Sequence, residues 1–235
     1  MIRKVVICTA PRKTDYIHKT LYYTWKEAPT HLFVASNHNT EYLDRYKNQP
    51  DITITKFPYN GPDSIVYNQM ETYNTSLRDG YVDGDDGVLI VEDDVRFAVG
   101  WKKRLEEIIA DLKSKYGDNF FLTLFTNLTF CSQTNTPLSG YFRVTKDNGG
   151  SIMFGSQGMY FTKKLRNDIL KYFEIFSSTD IRRHQDIKIR DCVLENDIPF
   201  FVTIPCIVNH IGNDSTWSAK SIYTNTATVF HNVLN

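Results

Sequence analysis

Val88-Leu89-Ile90-Val91-Glu92-Asp93-Asp94-Val95 is the stretch that decides the fold. Four apolar residues, three of them β-branched, read as a strand buried on both faces. Three carboxylates follow where that strand should end. Adjacent acids repel and cost free energy to desolvate, so a fold keeps them at a strand end mainly where a cation neutralises them. The carboxyl ends of strands are also where open α/β sheets bind ligands. Chemistry is expected here.

Outward from this run, strand and helix signals alternate. Lys4 to Thr9 predicts a strand, and Thr14 or Asp15 can cap a helix carrying Ile17, Leu21, Trp25 and Ala28 at helical spacing, ended by Pro29. Leu32 to Ala35 and Ile52 to Phe57 predict two more strands, separated by a short helix at Thr40 to Tyr46. Ser64 to Leu77 reads as helix, and Trp101, Leu105, Ile108, Ile109, Leu112 and Tyr116 mark an amphipathic helix closed by Gly117. Such alternation implies a mostly parallel central sheet with helices on both faces, an α/β class. The second half is less regular. Strands are expected at Phe120 to Phe125 and Phe200 to Thr203, a hairpin around Tyr141 to Thr145, an extended segment at Ser151 to Phe161, and helices at Thr162 to Tyr172 and His184 to Leu194. No repeat or linker divides the chain, so residues 1–235 read as one domain.

Composition weakens some functional readings without excluding them. Lys+Arg and Asp+Glu both number 27, so no global field draws the chain to nucleic acid or an anionic membrane. Local basic clusters remain at Lys102-Lys103-Arg104, at Lys163-Lys164 with Arg166, and at Arg182-Arg183-His184; solvated helix faces are their commonest setting. The hydrophobic fraction of 41% is enough for a substantial core. No apolar run approaches the ~20 residues of a membrane span, and no signal peptide is evident. Cys8, Cys131, Cys192 and Cys206 lack metal-site or disulfide spacing. A soluble protein of a reducing compartment, the cytoplasm of a bacterium or of a virus-infected host, is the expectation.

Glu92-Asp93-Asp94 resembles the D-x-D-type motif of nucleotide-sugar glycosyltransferases with the GT-A (Rossmann-like) fold, where the motif also lies mid-chain at a strand end. A receiver-domain reading fails, because the acids are not near the chain start and Phe120 to Phe125 ends without Asp. Gly155-Ser156-Gln157-Gly158-Met159-Tyr160 resembles the glycine-containing sugar loop of such enzymes. The segments His184-Gln185-Asp186, Ile198-Pro199-Phe200, Pro205 to Gly212 and Asp214-Ser215 look like the C-terminal region of N-acetylglucosaminyltransferase IV-like enzymes.

The resemblance implies a set of roles. Asp94 and His210 would be protein ligands of a divalent metal, Mn²⁺ or Mg²⁺, and Asp186 the catalytic base. Donor-binding residues would be Thr9, Arg12, Glu92, Asp93, Gly158 and Ser215, around a nucleotide-sugar donor, UDP-linked by analogy. Transfer would go to an acceptor hydroxyl with inversion, the acceptor being a glycan or a hydroxymethylated DNA base of the bacteriophage type. Tyr22, Tyr23, Tyr141, Phe142, Tyr160 and Trp217 are candidate aromatic platforms. The competing expectation is a non-catalytic nucleotide- or glycan-binding module of the same fold.

Overall fold

The structure is a computed structural model that describes residues 2–12, 14–60, 65–126, 140–149, 156–176 and 185–212. Its centre is an eight-stranded sheet. Strands β1 (Val5–Cys8), β2 (Thr30–Ala35), β3 (Ile52–Phe57) and β4 (Gly87–Glu92) lie parallel in the order β3-β2-β1-β4. Beyond β4 comes β8 (Gly158–Thr162), which is antiparallel to it. Next, β6 (Phe121–Thr123) and β9 (Phe200–Ile204) resume the first direction, and β7 (Gly140–Val144) ends the sheet in reverse. Six of the eight strands therefore share one direction, as the βα alternation requires. A separate antiparallel pair joins β5 (Val95–Phe97) to β10 (Val208–His210).

The pleat divides the core between two faces. Val5, Ile7, Leu32, Val34, Leu89 and Val91 point to the side covered by α1 (Ile17–Thr24) and α3 (Trp101–Tyr116), where Leu21, Trp101, Leu105 and Leu112 are buried. Val6, Phe33, Val88, Ile90, Met159 and Phe161 point to the other. There α2 (Ile65–Asp79), α5 (Lys163–Phe176) and α6 (Gln185–Glu195) supply Tyr73, Leu77, Leu165, Ile169, Ile189 and Val193. One further helical turn, α4 (Lys146–Gly149), follows β7.

The connection through α1 leads from β1 outward to β2, whereas α2 returns the chain from β3 to β4 on the opposite side of β1. The strand order reverses between β1 and β4, so their carboxyl ends diverge and open a crevice at this topological switch point. Cys8 is in register with Glu92, so the segments 9–12 and 93–94 leave the sheet side by side.

The structure departs from the sequence expectations in several places, three of them in how elements begin, end or pair. Helix α1 starts after Tyr16, with no side-chain cap from Thr14 or Asp15. Strand β6 stops at Thr123; the Leu124 amide still bonds the Gly158 carbonyl, but the Leu124 carbonyl accepts from the Ile207 amide. Among the described residues strand β7 pairs with β9, some sixty residues later, and with no nearer strand.

One histidine couples this frame to pH. His31 on β2 places Nε2 2.7 Å from Thr55 Oγ1 and Nδ1 3.5 Å from Lys4 Nζ. Burial and the Lys4 charge push its pKa down to about 4. Below the unfolded value of about 6.5 the unfolded chain takes up a proton that the folded chain refuses. Stability present above that pH is therefore lost as pH falls toward 4. His31→Gln removes about 1 kcal/mol of that loss, the full shift being discounted for the partial exposure of the ring. Chemical denaturation at pH 7 and 4.5 reads it, and an identical pH slope in the variant would contradict the assignment.

Candidate active site

At the switch point Thr9, Arg12, His38, Asn68, Gln69 and Glu92 help line a cavity of about 330 Å³. A second cavity, of about 440 Å³, lies toward the start of α1 and shares Ala10, Arg12 and Asp93 with the first. Arg12 is thus part of the partition between two openings.

Asp93 is the knot of the crevice. One carboxylate oxygen accepts from Thr9 Oγ1 at 2.7 Å and from the Ala10 amide at 3.3 Å; the other faces Arg12 Nη2 at 2.8 Å. Tyr42 OH stands 3.2 Å from the same Thr9 hydroxyl. The Thr20 hydroxyl lies 2.8 Å from the Asp93 carbonyl and 2.7 Å from that of Val95, pinning the turn to α1. Burial pushes the Asp93 carboxyl up, against the pull of the Arg12 charge. Thr9 and Asp93 therefore line the cavity but aim at each other.

Asp94 meets His210. The β5–β10 pairing sets His210 opposite Val95, and the Ile211 amide donates to the Asp94 carbonyl at 2.9 Å. Across 116 residues of chain, His210 Nε2 lies 3.1 Å from Asp94 Oδ2. That oxygen also faces Arg12 Nη1 at 2.9 Å, whereas the buried Oδ1 takes no hydrogen bond from another described residue. A Cβ on Gly212 would stand 2.2 Å from Asp94 Oδ2, so only glycine leaves this space open. Burial would raise the Asp94 carboxyl, but the His210 hydrogen bond and the Arg12 charge outweigh it and hold it below the ordinary range. Burial works against a charged His210; the Asp94 hydrogen bond and charge prevail and raise it.

Glu92 completes the group. One ligand atom each from Glu92, Asp94 and His210 lies within 4.8 Å of the other two. Two carboxylate oxygens and an imidazole form a donor set that Mn²⁺ or Mg²⁺ accepts. Burial, then the Asp94 charge, pushes the Glu92 carboxyl up to about 7. Ser156 Oγ donates to Glu92 Oε1, and Gln185 Nε2 donates to Ser156 Oγ at 2.9 Å. The first turn of α6 is thereby tied to the acidic run. Asp186 follows, 9% exposed, its Oδ1 accepting from the Ile187 amide at 2.9 Å. Arg12 keeps its charge: burial opposes it, but the three carboxylates hold its pKa above the ordinary value.

The structure thus brings Thr9, Arg12, Glu92, Asp93, Asp94 and His210 together and sets Asp186 on the adjoining helix start. Gly158 serves packing: a Cβ there would meet Val208 at 3.1 Å and Leu124 at 3.3 Å, within the core. Ser215, Trp217, Cys131, Gly155 and the cluster Arg182-Arg183-His184 lie outside the described residues. Of the other basic clusters, Lys102 pairs with Glu106 and Arg104 with the Pro205 carbonyl, while Lys164 pairs with Asp168 and Arg166 with the carbonyls of Leu77 and Arg78. Neither cluster lines the cavity. Tyr160 is buried, and Tyr22 is exposed on α1. Cys8 borders the cavity rather than filling the core, its thiol 3.2 Å from Ser76 Oγ and pushed up by burial to about 12, too high for a nucleophile. Sequence reasoning missed the Gln185–Ser156 relay; its only signal was the polar pair Ser156-Gln157 ahead of a buried strand.

No family model matches this chain, and no curated protein matches it by sequence. Among solved structures, S. aureus TarS 1–349 is similar with a TM-score of 0.53 and 16% identity, over 87% of this chain. The match spans 58% of that chain. At such identity the likeness concerns the fold alone, and it agrees with the α/β, GT-A-type sheet described above. Two likenesses are too loose to bear on the fold. They are the T. maritima inositol-1-phosphate CTP transferase (TM-score 0.48, 11% identity, 86% of this chain and 85% of that one) and the galactosyltransferase LgtC in complex with donor and acceptor sugar analogues (TM-score 0.43, 11% identity, 81% and 70%). Among the described residues no helix is long and apolar enough to cross a membrane.

The Asp93 knot is testable without any ligand. Thr9→Val removes the hydroxyl and costs about 1–3 kcal/mol by leaving a buried carboxylate oxygen short of its donor, whereas Thr9→Ser keeps most of the stability. Urea midpoints distinguish them. A larger loss in the serine variant would mean that the methyl packing matters, not the hydrogen bond.

Proposed function

We propose that this chain is a metal-assisted glycosyltransferase that moves a sugar from a nucleotide-diphosphate donor to an acceptor hydroxyl, the whole chain forming one such domain. The observation that carries the reading is the meeting of Asp94 Oδ2 with His210 Nε2 at 3.1 Å, beside Glu92, at the switch point of the sheet. The donor set suits a hard divalent cation, Asp94 Oδ1 is left without a donor from another described residue, and the missing Gly212 side chain keeps the approach open. Glu92, Asp94 and His210 would hold the ion; bound there, it would supply Lewis-acid neutralisation of the departing diphosphate.

The remaining roles fall to side chains of this chain. Asn68, Gln69, Thr72 and His38 present amides, a hydroxyl and an imidazole to the 330 Å³ cavity, where the nucleoside would lie. Arg12 offers a planar fork to phosphate oxygens. Ser215 is assigned to the donor phosphate from sequence resemblance alone. Asp186 accepts the proton of the attacking hydroxyl. It stands in the first turn of α6, largely out of solvent. One base and in-line attack give inversion. Because the described basic clusters lie away from the cavity, a glycan hydroxyl is the favoured acceptor over a hydroxymethylated DNA base.

Four experiments bear on this. Incubated with a panel of UDP-sugars, Mn²⁺ and no acceptor, the protein should release UDP slowly; a non-catalytic binding module would release none. Labelled donor should then pass to members of a glycan panel, and transfer only to duplex DNA carrying hydroxymethylated bases would reverse the acceptor assignment. Asp94→Asn, His210→Ala and Gly212→Ala should each weaken Mn²⁺ binding at least about tenfold by titration calorimetry. Asp186→Asn should lower transfer by about 10²–10⁴-fold with donor affinity nearly unchanged. Equal loss of donor binding and transfer in Asp186→Asn would remove its assignment as base.

A further inference from the structure

Arg12 holds the position that a cation would otherwise take. Its side chain is 14% exposed and bridges Asp93 Oδ1 at 2.8 Å and Asp94 Oδ2 at 2.9 Å. The second of these oxygens also faces His210 Nε2, so Arg12 already shares the carboxylate oxygen on the His210 side of Asp94. A guanidinium and a divalent cation repel, and one carboxylate oxygen cannot serve both at close range. Asp93 differs from Asp94, because Thr9 and the Ala10 amide already satisfy its second oxygen. It can therefore keep its fold-holding role whether or not Arg12 stays. Room to move exists as well, since Arg12 borders both the 330 Å³ and the 440 Å³ cavities.

We infer that Arg12 is an internal counter-cation that competes with the divalent metal for Asp94, and that a nucleoside diphosphate resolves the competition by drawing the guanidinium onto its phosphate oxygens. This rests on the metal and donor reading given above. The fork that fits two carboxylate oxygens fits two phosphate oxygens equally well, so the exchange preserves the charge-assisted bonds of Arg12 while vacating Asp94. Metal and diphosphate then bind with positive coupling, each removing the obstacle to the other. In the free protein Arg12 also sets a positive charge against the two buried carboxylates, Asp93 and Asp94.

Mn²⁺ affinity, read by electron paramagnetic resonance of the free ion with and without UDP, tests the exchange. In the unaltered protein UDP should tighten Mn²⁺ by about tenfold or more. Arg12→Gln should bind Mn²⁺ without UDP about tenfold more tightly than the unaltered protein, and the tightening that UDP adds should be smaller by about the same factor. Arg12→Lys, a point charge that cannot bridge two carboxylates, should fall between them. If Arg12→Gln fails to fold, the unaltered protein and Arg12→Lys still decide the matter. Mn²⁺ and UDP binding independently in the unaltered protein would overturn the inference alone. No Mn²⁺ binding even with UDP present would overturn the donor-site reading and the inference with it.

Discussion

Three carboxylates side by side at a buried strand end are the constraint around which the rest is arranged. Isolated in a low-dielectric crevice they would cost several kcal/mol each, or would take up protons instead. The chain answers each acid differently. Asp93 is satisfied by the β1 segment through Thr9, Ala10 and Arg12; Asp94 by Arg12 and His210; Glu92 by Ser156. The answers come from the segment after β1, from His210 and from Ser156, and together they tie the two halves of the sheet to one point.

That arrangement also explains the fold's two less regular features. The small β5–β10 pair has only three residues per strand, little to stabilise by itself. Its consequence is to carry His210 back to Asp94. The antiparallel insertion of β8 between β4 and β6 likewise sets Gly158 opposite Val91, so that the preceding Ser156 and Gln157 fall beside Glu92. Packing delivers the polar groups, and the polar groups fix the loops that packing alone would leave free.

Much of this was legible in the sequence, and the reason is periodicity. Long runs such as Trp101 to Tyr116 and β-branched strands such as Val88 to Val91 carry their structure in their spacing, so the α/β order followed directly. The switch point could be guessed from the acids that end β4. What could not be read is what depends on partners distant in the chain. Three-residue strands carry too little period-2 signal to reveal β5 and β10. The pairing of β7 with β9 has no turn to announce it. Among site residues, Arg12 was read as facing phosphate, yet it rests on Asp93 and Asp94. Gly158 was read from its glycine as a ligand contact, yet its bare Cα makes room for Val208 and Leu124. Neither the Ser156–Gln185 relay nor the cavity wall of Asn68 and Gln69 has a spacing that announces it.

The central claim is that Glu92, Asp94 and His210 converge on one cation beside the nucleotide cavity. Crystals grown with Mn²⁺ and UDP, with data collected to detect the anomalous scattering of manganese, test it most directly. The account predicts a single strong peak within coordination range of Asp94 and His210, with Arg12 turned from Asp94 toward the diphosphate. A peak elsewhere, or UDP seated in the cavity with Arg12 still bridging Asp93 and Asp94 and no manganese beside them, would contradict it.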